Sequence, residues 1–270
     1  MTAAAARAAH LVVDQPPYIF EDTVAASVLG ARAEELLAYH RLHGDHVILR
    51  GARAQVVTRS RFTEDVLAAA VARGVRQYMI LGAGLDSYVY RVATPGLRVF
   101  EVDHPASQEA KLSFAAELPV LTEVTHVPVD LEHTSLADGL AGSGFDKETP
   151  AVVAWLGVTM YLTREALTAT LRAIASFAPG TQLVFDYMVP SDRQDPDGTV
   201  YAREVGRVSA ERGEPWLTFL DPEECTDLLH AAGFAEAHQV SPVDAIPDGM
   251  WRRTDTLRPS GLSMLAHATV

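Results

Sequence analysis

The stretch QYMILGAGLDS, from Gln77 to Ser87, constrains the fold more than any other part of the chain. Tyr78, Met79, Ile80 and Leu81 form the unbroken apolar run of a strand covered on both faces. Gly82 and Gly84 follow at once. Without a Cβ they let the backbone turn tightly and come close to a ligand. Nineteen residues after Gly84 a second strand, Leu97 to Val102, ends in Asp103, where a carboxylate can hold both hydroxyls of a ribose. Strand, glycine turn, helix, strand and acid are the frame of a nucleoside-binding α/β domain.

Charge decides which nucleoside derivative suits this frame. A dinucleotide sets its pyrophosphate on the helix start after the glycine turn. Here Asp86 occupies that turn and Ser87 stands where the dinucleotide pattern has its third glycine. S-adenosyl-L-methionine carries a sulfonium and an ammonium and no phosphate, so an acid-lined pocket suits it.

Several segments then resemble the bacterial branch of the leucine carboxyl methyltransferase family. They are RSRFTEDVLAAAVARGVRQYMILGAGLDSYVYR from Arg59, VFEVDHPASQEAK from Val99, VPVDL from Val127 and WLGVTMYLTREAL from Trp155. The similarity runs from about residue 10 to the end, with the motifs in family order. It implies a Rossmann-like class I methyltransferase fold: a seven-stranded, mostly parallel sheet of order 3-2-1-4-5-7-6, with strand seven antiparallel, helices on both faces and a helical lid. It also implies that Arg59 pairs with the carboxylate at the methionine end of the cofactor, beside Gly82, Gly84 and Asp103. Asp130 would accept from the adenine amine, and Leu131 would lie against the ring. One departure stands out: eukaryotic relatives carry a glutamate near the end of the fourth strand, where this chain has Leu156 and Gly157.

The rest of the chain reads as one domain, 1–270. Residues 1–60 form a helical cap, with helical composition from Glu21 to His40 after the break at Gln15-Pro16-Pro17. This leader serves as a lid, an oligomer contact or packing on the sheet edge. A helix is expected from Arg61 to Ala72, closed by Gly74, with Arg59 and Arg61 at its start. His40, His43 and His46 read as solvated histidines at a helix end, and no metal site is expected. The cofactor core spans 77–188. In it Glu101 shares a face with Asp103 and can also reach the ribose, Ala106 to Leu118 is helical, and His126 to Val129, Pro150 to Leu156 and Leu183 to Tyr187 are strands. Residues 189–220 form a lid insertion containing the polar loop SDRQDPDG, a helix over Tyr201 to Arg212, and Trp216 and Phe219. Residues 221–270 complete the sheet with strands at Ala237 to Val240 and Gly261 to Thr269, after a helix whose start, Asp221-Pro222-Glu223-Glu224, is strongly signalled. Met250-Trp251-Arg252-Arg253 reads as part of the acceptor site or as a surface turn.

Methyl transfer needs alignment above all, and only an un-ionised acceptor gains from a base. His104, Tyr161, Asp186 and Tyr187 fall at the productive edge of the sheet, and Tyr161 and Tyr187 are the first choices for orienting an acceptor. Three functions fit: O-methylation of a carboxylate or hydroxyl on a small metabolite, a non-methylating reaction such as cyclisation on the same cofactor, and ligand binding without catalysis. Gly82, Gly84, Asp103 and Asp130 favour cofactor binding. A net charge of −13 argues against nucleic acid as a partner. The lone Cys225, a terminus without a signal-peptide core and the lack of a long apolar run predict a cytoplasmic protein with no membrane partner, as a monomer or homodimer.

Overall fold

The computed structural model describes residues 2–270. Seven strands form one sheet: β1 (Gln77–Leu81), β2 (Arg98–Asp103), β3 (Glu123–Pro128), β4 (Val152–Trp155), β5 (Gln182–Met188), β6 (Glu236–Val240) and β7 (Ser263–Thr269). Their order is β3-β2-β1-β4-β5-β7-β6, as expected. β7 runs antiparallel to both β5 and β6, and the β1–β2, β2–β3, β1–β4 and β4–β5 pairs are parallel. The helices are α1 (Thr2–Val13), α2 (Ala33–His43), α3 (Val47–Ala72), α4 (Tyr88–Arg91), α5 (Pro105–Phe114), α6 (Leu136–Gly139), α7 (Arg164–Ala175), α8 (Pro196–Glu211) and α9 (Pro222–Ala232).

Alternation along the strands divides the core into two layers. Met79, Leu81, Phe100, Trp155 and Phe185 pack against Leu167, Leu171 and Ile174 of α7 and Leu229 of α9. Tyr78, Ile80, Val99, Val152 and Ala154 face the other way, against Ala4, Ala5, Ala8 and Ala9 of α1 and Leu67 and Ala70 of α3. The N-terminal helices are therefore a full core layer over one sheet face, besides bordering the cleft described below. Among the described residues no helix is long and apolar enough to cross a membrane.

Several boundaries differ from the sequence reading. α3 does not begin at Arg61: it starts at Val47, capped by the His46 side chain, and places Arg59 in mid-helix. No glycine or proline after Gly51 interrupts it, and the polar residues from Thr58 to Arg61 are compatible with a helix interior. The segment after Glu21 is not one helix. A 3₁₀ turn over Ser27–Arg32 precedes α2, and Gly30 kinks it at φ +57°. α8 begins at Pro196 rather than Tyr201, because Asp195 accepts from the Gly198 N–H at 2.6 Å and caps it. His40 is not solvated. It is 6% exposed beside Arg53, and burial followed by the Arg53 charge lowers its pKa to about 4. His43 and His46 are exposed.

Candidate active site

At the C-terminal ends of β1 and β4, two cavities meet. The first, about 200 Å³, is bounded by the glycine turn Gly82–Asp86, by Thr2 to Ala4 and Arg7 of α1, by Arg59 and Ser60 of α3, and by Leu156–Val158 after β4. Gly82 and Gly84 take positive φ, +66° and +48°. A Cβ on Gly82 would lie 2.4 Å from Val158 Cγ2. One on Gly84 would meet nothing nearer than the Gly82 carbonyl at 3.9 Å, leaving room there for a ligand. The turn is anchored from two sides. The Gly82 N–H donates to the Val102 carbonyl at 2.7 Å, and the Gly84 N–H to Asp103 Oδ2 at 2.5 Å.

Buried charge holds the rear of this cleft. Arg7 donates to Asp22 and to the Leu85 carbonyl, each at 2.6 Å, tying α1 to the turn. Asp22 also accepts from the Ser87 hydroxyl at 2.6 Å. Burial opposes its charge, but Arg7, Ser87 and Arg91 outweigh burial and hold its carboxyl below the usual range. Arg91 in turn forks onto Glu64 of α3. Burial pushes Glu64 up to about 7 against the pull of Arg91, with Asp86 and Asp22 adding to the rise. The folded protein thus keeps the Glu64 proton up to about pH 7, whereas the unfolded chain releases it near 4.5. Stability from this group is complete below pH 4.5 and is lost as pH rises through 7. We expect Glu64→Gln to shift the stability difference between pH 5 and pH 7.5 by on the order of 2 kcal/mol in favour of pH 7.5, measured by urea unfolding at both values.

The second cavity, about 140 Å³, shares Thr2, Ala3, Arg59 and Gly157 with the first. Its far walls are Met160, Tyr161, Met188, and Tyr201, Val205 and Trp216 from residues 196–216. That segment is sewn down. The Leu217 N–H donates to the Met160 carbonyl at 2.7 Å, and the Leu220 N–H to the Met188 carbonyl at 3.0 Å. Arg50 of α3 pairs with Asp197 of α8 at 2.5 Å.

Arg59 stands between the two cavities, held by Asp186. Arg59 Nη1 donates to Asp186 Oδ2 at 2.7 Å, while Asp186 Oδ1 accepts from the Gly157 N–H at 2.5 Å. Asp186 is 1% exposed. Gly157, at φ +73°, is required here because a Cβ would sit 2.5 Å from Arg59 Nη2. The glutamate of the eukaryotic relatives thus has no counterpart at this position. Its neighbourhood holds an arginine fixed by the acid of the adjacent strand.

The other expected residues are placed as follows. Asp103 does not itself bound the first cavity; it stands next to it, holding the Gly84 N–H of the turn that does. Glu101 does not reach it: it is fully buried with Lys111 at 2.7 Å, since that strand face is covered by α5. Asp130 lies on the surface, accepting from the Glu132 N–H at 3.0 Å and pairing with His133 at 2.9 Å. Leu131 borders a separate shallow groove against α7. Tyr161 lines the second cavity. Tyr187 faces the opposite layer, where its hydroxyl donates to Gln239 at 2.7 Å. Burial, followed by Cys225 and acids nearby, pushes its phenol far above the ordinary value. Arg61 pairs with Asp65 on the surface, and His104 caps α5. Arg253 holds the Pro17 carbonyl at 2.7 Å and pairs with Asp255, and Trp251 packs beside Ile19. Arg7, Asp22 and Glu64 were not singled out from the sequence. The alanine run around Arg7 signals a helix, but its partners lie too far along the chain to be read. Among the described residues no group of three or more His, Cys, Asp or Glu side chains converges as a metal site.

Comparisons with known proteins show the family of the chain and its fold. The family model described as leucine carboxyl methyltransferase matches residues 1–175. A Bacillus subtilis protein named "Putative S-adenosyl-L-methionine-dependent methyltransferase YktD" is 30% identical over 269 residues, covering 90% of this chain and 88% of its own length. A relative of the same description from Mycolicibacterium smegmatis is 35% identical over 178 residues, or 63% of this chain and 55% of its own. A DUF574 family protein from Streptomyces avermitilis has a similar fold, with a TM-score of 0.62 at 16% identity over 98% of this chain and 96% of its own. So does a Thermobifida fusca protein at 0.56 and 20% identity, covering 97% of each chain.

Proposed function

The chain belongs to the leucine carboxyl methyltransferase family and is an S-adenosyl-L-methionine-dependent methyltransferase; on that premise we propose that it O-methylates the carboxylate of a small, mostly apolar molecule. When bound, the cofactor supplies an electrophilic methyl group on a sulfonium. The residues present fit it. Asp103 and the Gly82–Gly84 turn offer an acid and an open backbone cradle for the ribose end. Arg59 offers a guanidinium for the carboxylate of the methionine end, and Asp86 in the turn suits an ammonium. Asp130 and Leu131, expected at the adenine, lie outside this cavity, the first paired with His133 on the surface and the second in a separate groove against α7.

The observation that carries the choice of acceptor is the lining of the second cavity. Arg59, Tyr161 and Tyr201 bring hydrogen-bond donors, and no Asp, Glu, His or Lys is among the lining residues. A hydroxyl or amine acceptor would gain from a base, whereas a carboxylate is already ionised. Asp186 does not serve as that base, with one oxygen on Arg59 and the other on the Gly157 N–H. Burial, lessened by Arg59 and reinforced by Tyr161, pushes the Tyr201 phenol up to about 12, so it stays a donor. Residues 189–220 form the lid, excluding water while the phenols of Tyr161 and Tyr201 align the acceptor. The test is incubation with methyl-labelled cofactor and matched panels of carboxylic acids, phenols and amines. Label is expected on acids alone, and label on phenols or amines with none on acids would overturn the reading.

A further inference from the structure

Resting on that carboxylate reading, we propose that the acceptor cavity selects acids built on a flat aromatic ring, carrying a further oxygen, over saturated acids of equal size. Two physical features of its walls point there. The first is rigid aromatic surface. Tyr161, Tyr201 and Trp216 border the cavity together with the thioethers of Met160 and Met188. The tyrosine ring of residue 201 lies over Gly51 of α3, 3.5 Å from where a Cβ would stand, and the Trp216 indole lies over Gly206 of α8 at the same distance. Each ring thus rests in a shallow seat that a larger residue would fill. The Leu217 N–H, one residue on, fixes the backbone at Trp216. Walls ordered in advance lose little freedom on binding. A flat π-face gains from ring packing and from sulfur contacts that a puckered saturated ring does not make.

The second feature is a pair of phenols. The Trp216 indole N–H is closed off from the cavity, so this ring presents carbon surface alone. Tyr161 and Tyr201, which also border the cavity, each carry a phenolic hydroxyl able to donate there. Arg59 is held by Asp186 and serves the cofactor's carboxylate, so the two tyrosine hydroxyls are the donors left for the acceptor, one for its carboxylate and one for an oxygen elsewhere on it.

The experiment is calorimetric titration of the full chain, with S-adenosylhomocysteine present, against 3-phenylpropanoate and 3-cyclohexylpropanoate. These share a carboxylate and a carbon count. The phenyl acid is expected to bind about three- to tenfold more tightly, and 3-(4-hydroxyphenyl)propanoate more tightly again. Trp216→Leu and, separately, Tyr201→Leu are expected to narrow the phenyl-to-cyclohexyl ratio to below about twofold, with circular dichroism checking the fold of each. Equal binding of the two acids by the wild type, or preference for the saturated one, overturns the inference while leaving the carboxylate reading intact. If 3-phenylpropan-1-ol binds as well as the acid, or neither acid binds, the carboxylate reading falls and this inference falls with it.

Discussion

Arg59→Met should cost the protein about 3 kcal/mol of stability and its hold on the cofactor together. The reason lies on the neighbouring strand. Asp186 is 1% exposed, and its charge is met by Arg59 at 2.7 Å and the Gly157 N–H at 2.5 Å. Removing the guanidinium strands a buried carboxylate with one donor, the situation in which breaking a buried pair is most damaging. Asp186→Asn alone should cost less, because Arg59 is 12% exposed and can turn to water. The double variant Arg59→Met/Asp186→Asn should then recover stability relative to Arg59→Met without recovering cofactor affinity. Urea unfolding and calorimetry separate the two effects. A wild-type urea midpoint together with unchanged affinity for S-adenosyl-L-methionine in Arg59→Met would remove Arg59 from both roles.

Asp103→Ala should weaken cofactor binding by roughly 1.5–3 kcal/mol, the range of hydrogen bonds to a charged group, or about ten- to 150-fold. Asp103 already accepts from the Gly84 N–H at 2.5 Å and the His104 N–H at 2.7 Å. A carboxylate has lone pairs for two further donors, and ribose hydroxyls would supply them. The substitution also releases Gly84, so the cradle loses one anchor while the Gly82 N–H keeps the other on Val102. A folded Asp103→Ala protein with undiminished affinity would exclude Asp103 from the site.

The sheet was legible because its signals are local. An apolar run, two glycines and a later acid placed β1, the turn and β2. Asp221-Pro222 with Glu224 announced α9, which the structure closes with a capping box and with Gly233 at φ +117°. Asp195-Pro196 carries the same signal at the start of α8, inside a stretch whose polar composition reads as a loop. The site was half legible. Gly82, Gly84, Arg59 and Tyr161 line the two cavities and Asp103 holds Gly84 from behind, whereas Asp130 and Leu131 lie outside both. Tyr187 and Asp186 show what was missing. Successive strand residues face opposite layers, and nothing local says which layer holds the cleft. Val184, on the same face as Asp186, packs beside Phe62 and Val66 of α3. Asp186 therefore meets Arg59, and Tyr187 meets Gln239. Likewise Glu101 has the right strand and the right parity with Asp103, yet Lys111, ten residues on in a helix over the same face, claims it. Partners so far apart in sequence, like Arg7 and Asp22 across the start of the cleft, become visible only when the chain is folded.

The central claim is methyl transfer to a carboxylate oxygen by a site without a base. The most direct measurement uses cofactor labelled in its methyl group, isolates the labelled product formed by the full-length chain, and treats it with mild alkali. A methyl ester releases its label as volatile methanol, and that is the result predicted. Label that stays with the product through alkali would place the methyl on a hydroxyl, nitrogen or carbon and contradict the account.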